Sequence, residues 1–517
     1  MKNDDSLREK LIVKENRGSF SQPLPVWRKV CFAVGGAPYQ ITNTVINFFI
    51  NIFLLEVAQI RPLYVSIIVF VGKVWDAITD PVCGYFVNRT DSRLGKLRPW
   101  ILFSTPFACT AYFFLWYVPD ISEEGKLGYY FVMYCLFQGL LSCLHVPYTS
   151  LTMYICDDQK ERDSVTAYRM LSEAVGVLLA VVVQGQLVNK YRVAGECSAE
   201  TTISPGQIKD QEWSYMYGAF IVIGIYVICS CTVFFGVKEK QGVIQDGHEP
   251  FFRALKLVFT HGPYVKLVVI FLFHSLAIAI VQGNLALFVT HALHQGDQFA
   301  TMILVLLLSA IVFMPAWHLL LLKFGKKKAY AAGLILFIPV LISQLYVQGS
   351  IYVYYPILVV AGACVAVALL LPWSMLPDVL DDFMLNTGTR KDAIFYSFYV
   401  FCNKFAAGIG LGFSQIALEI GGYQTGACVQ PNSVSLALRI LMVPGPVIFI
   451  LIALIFLWKY PITEHRRLEI RQAIEDLKSD QSPNHNSGKR QKTNQSNRSK
   501  EVLASLSYRS IDDSTEF

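Results

Sequence analysis

The sequence predicts an all-α membrane protein, twelve transmembrane helices arranged as two six-helix halves, and three observations carry that prediction. The composition is too apolar for a water-soluble globule, with 54% of 517 residues hydrophobic, 16% charged and a mean hydropathy of +0.44. Twelve stretches come close to or exceed the roughly 20 apolar residues that cross about 30 Å of hydrocarbon. Connections on one side of those stretches are basic, as in Arg89, Arg93, Lys96 and Arg98 or "KFGKKK" (323–328), whereas "PDISEEGK" (119–126) on the other side is acidic.

Taken in order, residues 1–28 carry Lys2, Arg8, Lys10, Lys14, Arg17 and Arg28 without an apolar core, which predicts a cytoplasmic tail and no cleavable signal peptide. The N-terminal half, 29–236, has spans at about 29–57, 63–87, 99–118, 127–155, 163–189 and 214–236. A cytoplasmic linker, 237–262, includes the amphipathic piece "FFRALKLVF" (251–259), suited to the membrane surface. The C-terminal half, 263–459, has spans at about 263–291, 297–323, 327–348, 351–376, 391–421 and 433–459. Residues 460–517 begin with "HRRLEIRQAIEDLK", a surface helix, and continue as a Ser-, Asn-, Lys- and Gln-rich tail whose composition predicts disorder. An even number of crossings returns the C-terminus to the side of the basic N-terminus, so both termini are expected in the cytoplasm, and the plasma membrane is the expected location.

The halves repeat. Pro147 in "HVPYTSLTMYICDD" corresponds to Pro372 in "LLPWSMLPDVLDD" at an offset of 225, and "LGK" (94–96) to "FGK" (324–326) at 230. Duplicated halves suit alternating access around a site near the midplane, which predicts a transporter. No P-loop, metalloprotease or serine-hydrolase motif is present, so no enzyme activity and no cofactor are expected, and "GIGLG" (408–412) reads as close helix packing. No basic stripe lies on a soluble segment, which argues against a nucleic-acid partner; the expected partners are a substrate and the membrane, and the expected state is a monomer. Ten of twelve cysteines fall in or at the ends of spans; Cys197 and Cys428 fall in outer loops and are expected to form a disulfide.

The candidate site begins with "VGKVWDAITDPVCGYF", where Asp76 and Asp80 lie four residues apart and therefore on one helix face. A carboxylate at mid-depth costs about 2.5 to 3.5 kcal/mol even on the lenient insertion scale, so a proton, a metal ion or a basic side chain must offset it. Lys404, about 20 Å along the eleventh span, has a depth that overlaps theirs, and Lys73 is one turn from Asp76. The aspartates suit Na⁺ or H⁺, with Lys404 as a competing switch; a static ion pair is the alternative. Arg169 and Glu173 form a second four-residue pair, and an arginine fork there can grip a phosphate. Gln40, Gln282, Trp373 and His145 add polar or amphipathic groups at similar depths. Phe398, Phe401 and Phe405, with Tyr396, surround Lys404 with an apolar wall suited to a lipid tail.

The segments "WDAITDP", "RLGKLRPWILFS", "ERDSVTAYRM" and "LPWSMLPDVLDDF" resemble the sodium-coupled melibiose-carrier type of the major facilitator superfamily. "GGAPYQ", "HVPYTSLTM", "KFGKKK" and "GYQTGACVQP" resemble, more narrowly, its lysolipid branch, over about residues 25–465. The resemblance implies the major facilitator fold, a cation site at Asp76 and Asp80 with Lys404 beside it, a headgroup site drawing on Arg169, Glu173 and Gln40, and an extracellular Cys197–Cys428 bridge. It implies a single-chain phospholipid-type substrate. Within the branch, "VNRT", "FGVKE" and "IFYSFYVF", and Gln282 where the choline-lipid carrier resembles a glutamate, favour sphingosine-1-phosphate moved outward. Sodium-dependent uptake of lysophosphatidylcholine is the alternative, favoured by the intact "DAITD", and a sugar and cation symporter the more distant one. The superfamily's loop signature departs here, with Asn88-Arg89 following Gly84 in place of Asp-Arg.

Overall fold

The computed structural model describes residues 24–90, 92, 94–155, 159–190, 205–239, 259–347, 351–387, 392–425, 427 and 429–481. Among them every regular element is helical. In chain order these are α1 (Val26–Val34), α2 (Ala37–Ile52, continued by a π turn at Phe53–Val57), α3 (Pro62–Arg89), α4 (Arg98–Leu115), α5 (Glu123–Ile155), α6 (Gln159–Lys190) and α7 (Pro205–Gly236). They are followed by α8 (Gly262–Leu287, with a π turn at Phe288–Ala292), α9 (Phe299–Phe324), α10 (Lys326–Ser343), α11 (Ile351–Thr387), α12 (Asp392–Ile420), α13 (Asn432–Met442), α14 (Pro444–Trp458) and α15 (Glu464–Gln481). Nine stretches among the described residues are long and apolar enough to cross a membrane. The spans expected at 99–118, 327–348 and 391–421 are helical as well, in α4, α10 and α12.

Three elements differ from their sequence expectation. The first span has a turn at Gly35–Gly36 between α1 and α2, where a Cβ on Gly35 would meet Val233 Cγ2 at 2.5 Å and one on Gly36 would meet Glu173 Cγ at 2.9 Å. Bare backbone allows that approach. The last span is two helices, α13 and α14, since Pro444 has no N–H to continue the ladder. The span expected to end at 376 runs on to Thr387 and carries Asp378 and Asp382 past the apolar stretch. The expected disulfide partners Cys197 and Cys428 and nearly all of "FFRALKLVF" lie outside the described residues.

Two compact units result. The first takes in the described residues 24–46, 78–190 and 205–239. In it α4 packs on α5 and α7, and α1 on α6 and α7. Phe32, Val87, Ile101, Tyr148, Val165 and Val233 form its buried centre, where the Tyr148 hydroxyl donates to the Phe32 carbonyl at 2.9 Å.

The second unit takes in 47–77 and the described residues from 259 onward. Thus the end of α2 and the first half of α3 join it, although chain order places them in the N-terminal half. Asn51 Nδ2 donates to the Gly283 carbonyl (3.0 Å), His291 meets Glu56 (2.7 Å) and the Leu63 N–H donates to Glu419 (3.3 Å). Elsewhere in this unit α9 packs on α11, α8 on α12 and α14, and α15 against α11.

Arg439 of α13 closes two helix ends in that unit, those of α10 and of the π turn after α8. Its guanidinium donates to the carbonyls of Gln344 (3.2 Å), Leu345 (3.1 Å), Val347 (3.4 Å) and Ala292 (3.4 Å), acceptors that a helix end leaves without partners. Arg439→Ala should destabilise the protein by about 2–3 kcal/mol. A thermal-unfolding series in detergent checks this, with Arg439→Lys expected to fall between the two.

Candidate functional site

The Lys404 ammonium sits 2.8 Å from Asp76 Oδ1, so α12 supplies the counter-ion for α3. Two glycines permit the approach. A Cβ on Gly408 would lie 3.0 Å from Lys73 Cβ, and one on Gly412 would lie 3.1 Å from Phe70 Cβ. "GIGLG" is therefore a packing face, as its context suggests. Asp76 is 6% exposed and Lys73 5%, so the carboxylate of the pair and a second lysine are held away from solvent. Charges so buried are compatible with folding only when closely paired.

Asp80 is half-buried one turn further along α3. The same part of α3 meets α5 through Thr79 Oγ1 and Ser142 Oγ (3.0 Å) and through the Cys83 and Cys143 thiols (2.9 Å). Among the described residues no group of three or more His, Cys, Asp and Glu side chains is arranged to hold a metal ion.

Arg169, Glu173 and Gln40 come together in the first unit. Arg169 Nε is 3.1 Å from Glu173 Oε1, off the axis of an aligned hydrogen bond, and Gln40 hydrogen-bonds the same carboxylate. Tyr39, beside Gln40, stacks on His145 with ring centroids 3.6 Å apart. The cluster of Arg169, Glu173 and Gln40 joins a cation, an anion and an amide, groups suited to a zwitterionic or phosphorylated headgroup.

Gln282 and Trp373, also expected at a headgroup, belong to the second unit. Gln282 is half-buried on α8, next to the buried Gly283. Trp373 packs edge-on against Phe271 (5.7 Å) and Tyr399 (5.3 Å), an aromatic cluster of α8, α11 and α12. Phe398, Phe401 and Phe405 form a ladder along α12, successive centroids 5.9 Å apart, which Phe259 extends at 5.0 Å. That ladder gives an apolar face beside Lys404.

A charged belt at one end of the second unit was missed. Lys326 binds Asp378 (2.6 Å), and Arg466 of α15 lies 3.7 Å from Asp382. Burial pushes the His261 imidazole down to about 4, so it stays neutral beside Asp382, 3.5 Å away. "LPDVLDD" was the available signal, but hydropathy alone ended the span before it.

Residues 31–464 match the model of the MFS/sugar transport protein family. A sodium-dependent lysophosphatidylcholine symporter 1-A of Danio rerio is 46% identical over 86% of this chain and 87% of its own length, and one from Gallus gallus 44% over 88% and 90%. A sphingosine-1-phosphate transporter of Xenopus tropicalis is 41% identical over 88% of this chain and 92% of its own. Among solved structures, the nucleoside transporter NupG superposes with a TM-score of 0.59 at 10% identity, over 84% of this chain and 100% of its own. A bacterial homologue of the lysosomal transporter Spinster gives 0.57 at 14% identity, over 86% and 97%. The chain belongs to the MFS/sugar transport protein family, a family of transporters and not of enzymes, and has the major facilitator fold.

Proposed function

We propose that this chain is an alternating-access symporter that couples Na⁺ to the movement of a lysophospholipid, with lysophosphatidylcholine as its principal substrate. The observation that carries the reading is the Lys404–Asp76 pair. Na⁺ at Asp76 and Asp80 competes with the Lys404 ammonium, so cation binding frees α12 from α3 and substrate binding is linked to that release. Arg169, paired with Glu173, which Gln40 also hydrogen-bonds, is the group for the phosphate.

Residue resemblance alone favoured outward movement of sphingosine-1-phosphate. The similarity to symporters whose names specify sodium and lysophosphatidylcholine, at 41–46% identity, supports the other member of the pair, as does the intact Asp76/Asp80 motif. Gln282 is the observation that favours sphingosine-1-phosphate, because a neutral amide offers a quaternary ammonium no counter-charge. The reading includes a monomer in the plasma membrane, both termini cytoplasmic, and a Cys197–Cys428 bridge outside.

Paired flux assays in proteoliposomes, with labelled lysophosphatidylcholine and sphingosine-1-phosphate in Na⁺ or choline buffer, test it. Na⁺-dependent lysophosphatidylcholine uptake is expected. Sphingosine-1-phosphate flux indifferent to Na⁺, with no lysophosphatidylcholine flux, would replace it by the second reading. Arg169→Ala should raise KM for the lysolipid about tenfold and leave the Na⁺ concentration for half-maximal uptake unchanged; unaltered lipid kinetics would remove Arg169 from the headgroup site.

A further inference from the structure

Between Lys404 and the far end of α12 lies a second polar feature, neutral and fully buried. Asn51 of α2 is 2% exposed, and Asn284 of α8 and Gln415 of α12 are 0% exposed. They follow one seam. Asn51 Nδ2 donates to the Gly283 carbonyl (3.0 Å), a Cβ on Gly283 would strike Leu411 Cδ2 at 2.0 Å, and Asn284 Nδ2 donates to Ser414 Oγ (2.7 Å). Gln415 follows Ser414, one turn beyond Leu411. Ser66 of α3 borders the same face, its hydroxyl 3.6 Å from where a Gly412 Cβ would be.

Asn51 Oδ1, Asn284 Oδ1 and both amide atoms of Gln415 make no hydrogen bond to the protein. The asparagine orientations are fixed by chemistry. Asn51 Nδ2 faces the Gly283 carbonyl and Asn284 Nδ2 the Ile280 carbonyl (2.7 Å), which only accept, so oxygen must be the free end in each. Three unpartnered carbonyl-type oxygens against one unpartnered amide NH2 group make a seam richer in acceptor atoms, which suits a hard cation and not a phosphate. Gln415 lies eleven residues beyond Lys404 on α12, about 16 Å along the axis. The seam thus separates the Asp76 ion pair from the membrane side on which α2 and α12 end.

We propose that Asn51, Asn284 and Gln415 form the closed passage by which a small monovalent cation reaches Asp76. The proposal rests on the sodium-coupled reading above. Amide oxygens that are costly in a dry interface replace water around the ion as α2 and α3 part from α8 and α12. This assigns a role to polar groups that packing does not explain.

The test uses the full chain in proteoliposomes, with Na⁺ titrated at fixed lysophosphatidylcholine. Gln415→Leu should raise the half-saturating Na⁺ concentration about fivefold, and Gln415→Glu, by concentrating cations, should lower it about threefold. Lipid KM at saturating Na⁺ stays as in the parent for both. Thermal unfolding of Gln415→Leu should match or exceed the parent, because two unpartnered polar atoms leave a dry site. An unchanged Na⁺ dependence in both variants, or shifts of the same sign, overturns the passage while leaving the function standing. A parent protein whose flux ignores Na⁺ overturns both, and is recognised before any variant is made.

Discussion

Asp76→Asn should reduce Na⁺-driven lysolipid uptake by about a hundredfold or more, to the level set by passive leak. The substitution keeps the shape of the side chain and removes the charge that both Lys404 and the cation require. It also leaves Lys404 and Lys73 without their nearest carboxylate, and breaking a buried pair costs about 3–5 kcal/mol. Two effects are therefore mixed in the single variant, and a second one separates them. Asp76→Asn with Lys404→Met removes both charges, and should recover thermal stability without recovering Na⁺ dependence. Uptake assays and melting curves on the same preparations decide the matter. Na⁺-stimulated uptake that persists in Asp76→Asn would show that the cation binds elsewhere.

The second large effect is on stability. Glu239, just past α7, accepts the backbone N–H groups of Lys96 (2.7 Å), Leu97 (2.9 Å) and Arg98 (2.7 Å) at the start of α4. A carboxylate there satisfies N–H groups that a helix start leaves open, and its charge complements the helix dipole. Gly95 belongs to the same arrangement. Its φ is +108°, and a Cβ would lie 2.6 Å from Glu239 Oε1, so no other residue fits without displacing the carboxylate. Arg98 completes the joint by donating to the Phe234 carbonyl from Nε at 3.1 Å. Glu239→Ala should destabilise the first unit by about 3 kcal/mol, lowering the thermal midpoint by about 5–10 °C. Gly95→Ala should weaken the same joint, and Glu239→Gln, which keeps one acceptor, should fall between. A melting point for Glu239→Ala equal to that of the parent would show that water replaces the clamp without loss.

The expected spans were legible because a chain in hydrocarbon satisfies its backbone within each segment, so the signal is local. Boundaries were less so where apolarity and helicity part company. α11 continues through Asp378 and Asp382 because Lys326 and Arg466 offset those charges, and neither partner is near in sequence. Gly35–Gly36 and Pro444 interrupt stretches that hydropathy reads as continuous. Of the candidate residues, the two four-residue pairs could be found from helix periodicity alone, but Gln40 on Glu173 depends on how α2 meets α6.

By itself, then, the sequence determined the helical membrane class, the order of the spans and the placement of Asp76, Asp80, Arg169 and Glu173, since these follow from apolarity and from 3.6 residues per turn. Only the tertiary structure decided that Lys404 pairs with Asp76 across 328 residues, that 47–77 joins the second unit, and that Trp373 packs within an aromatic cluster. The reason is that a buried charge records in sequence only its need for a partner, whereas the choice among distant partners rests on which helices glycine and small side chains let come close.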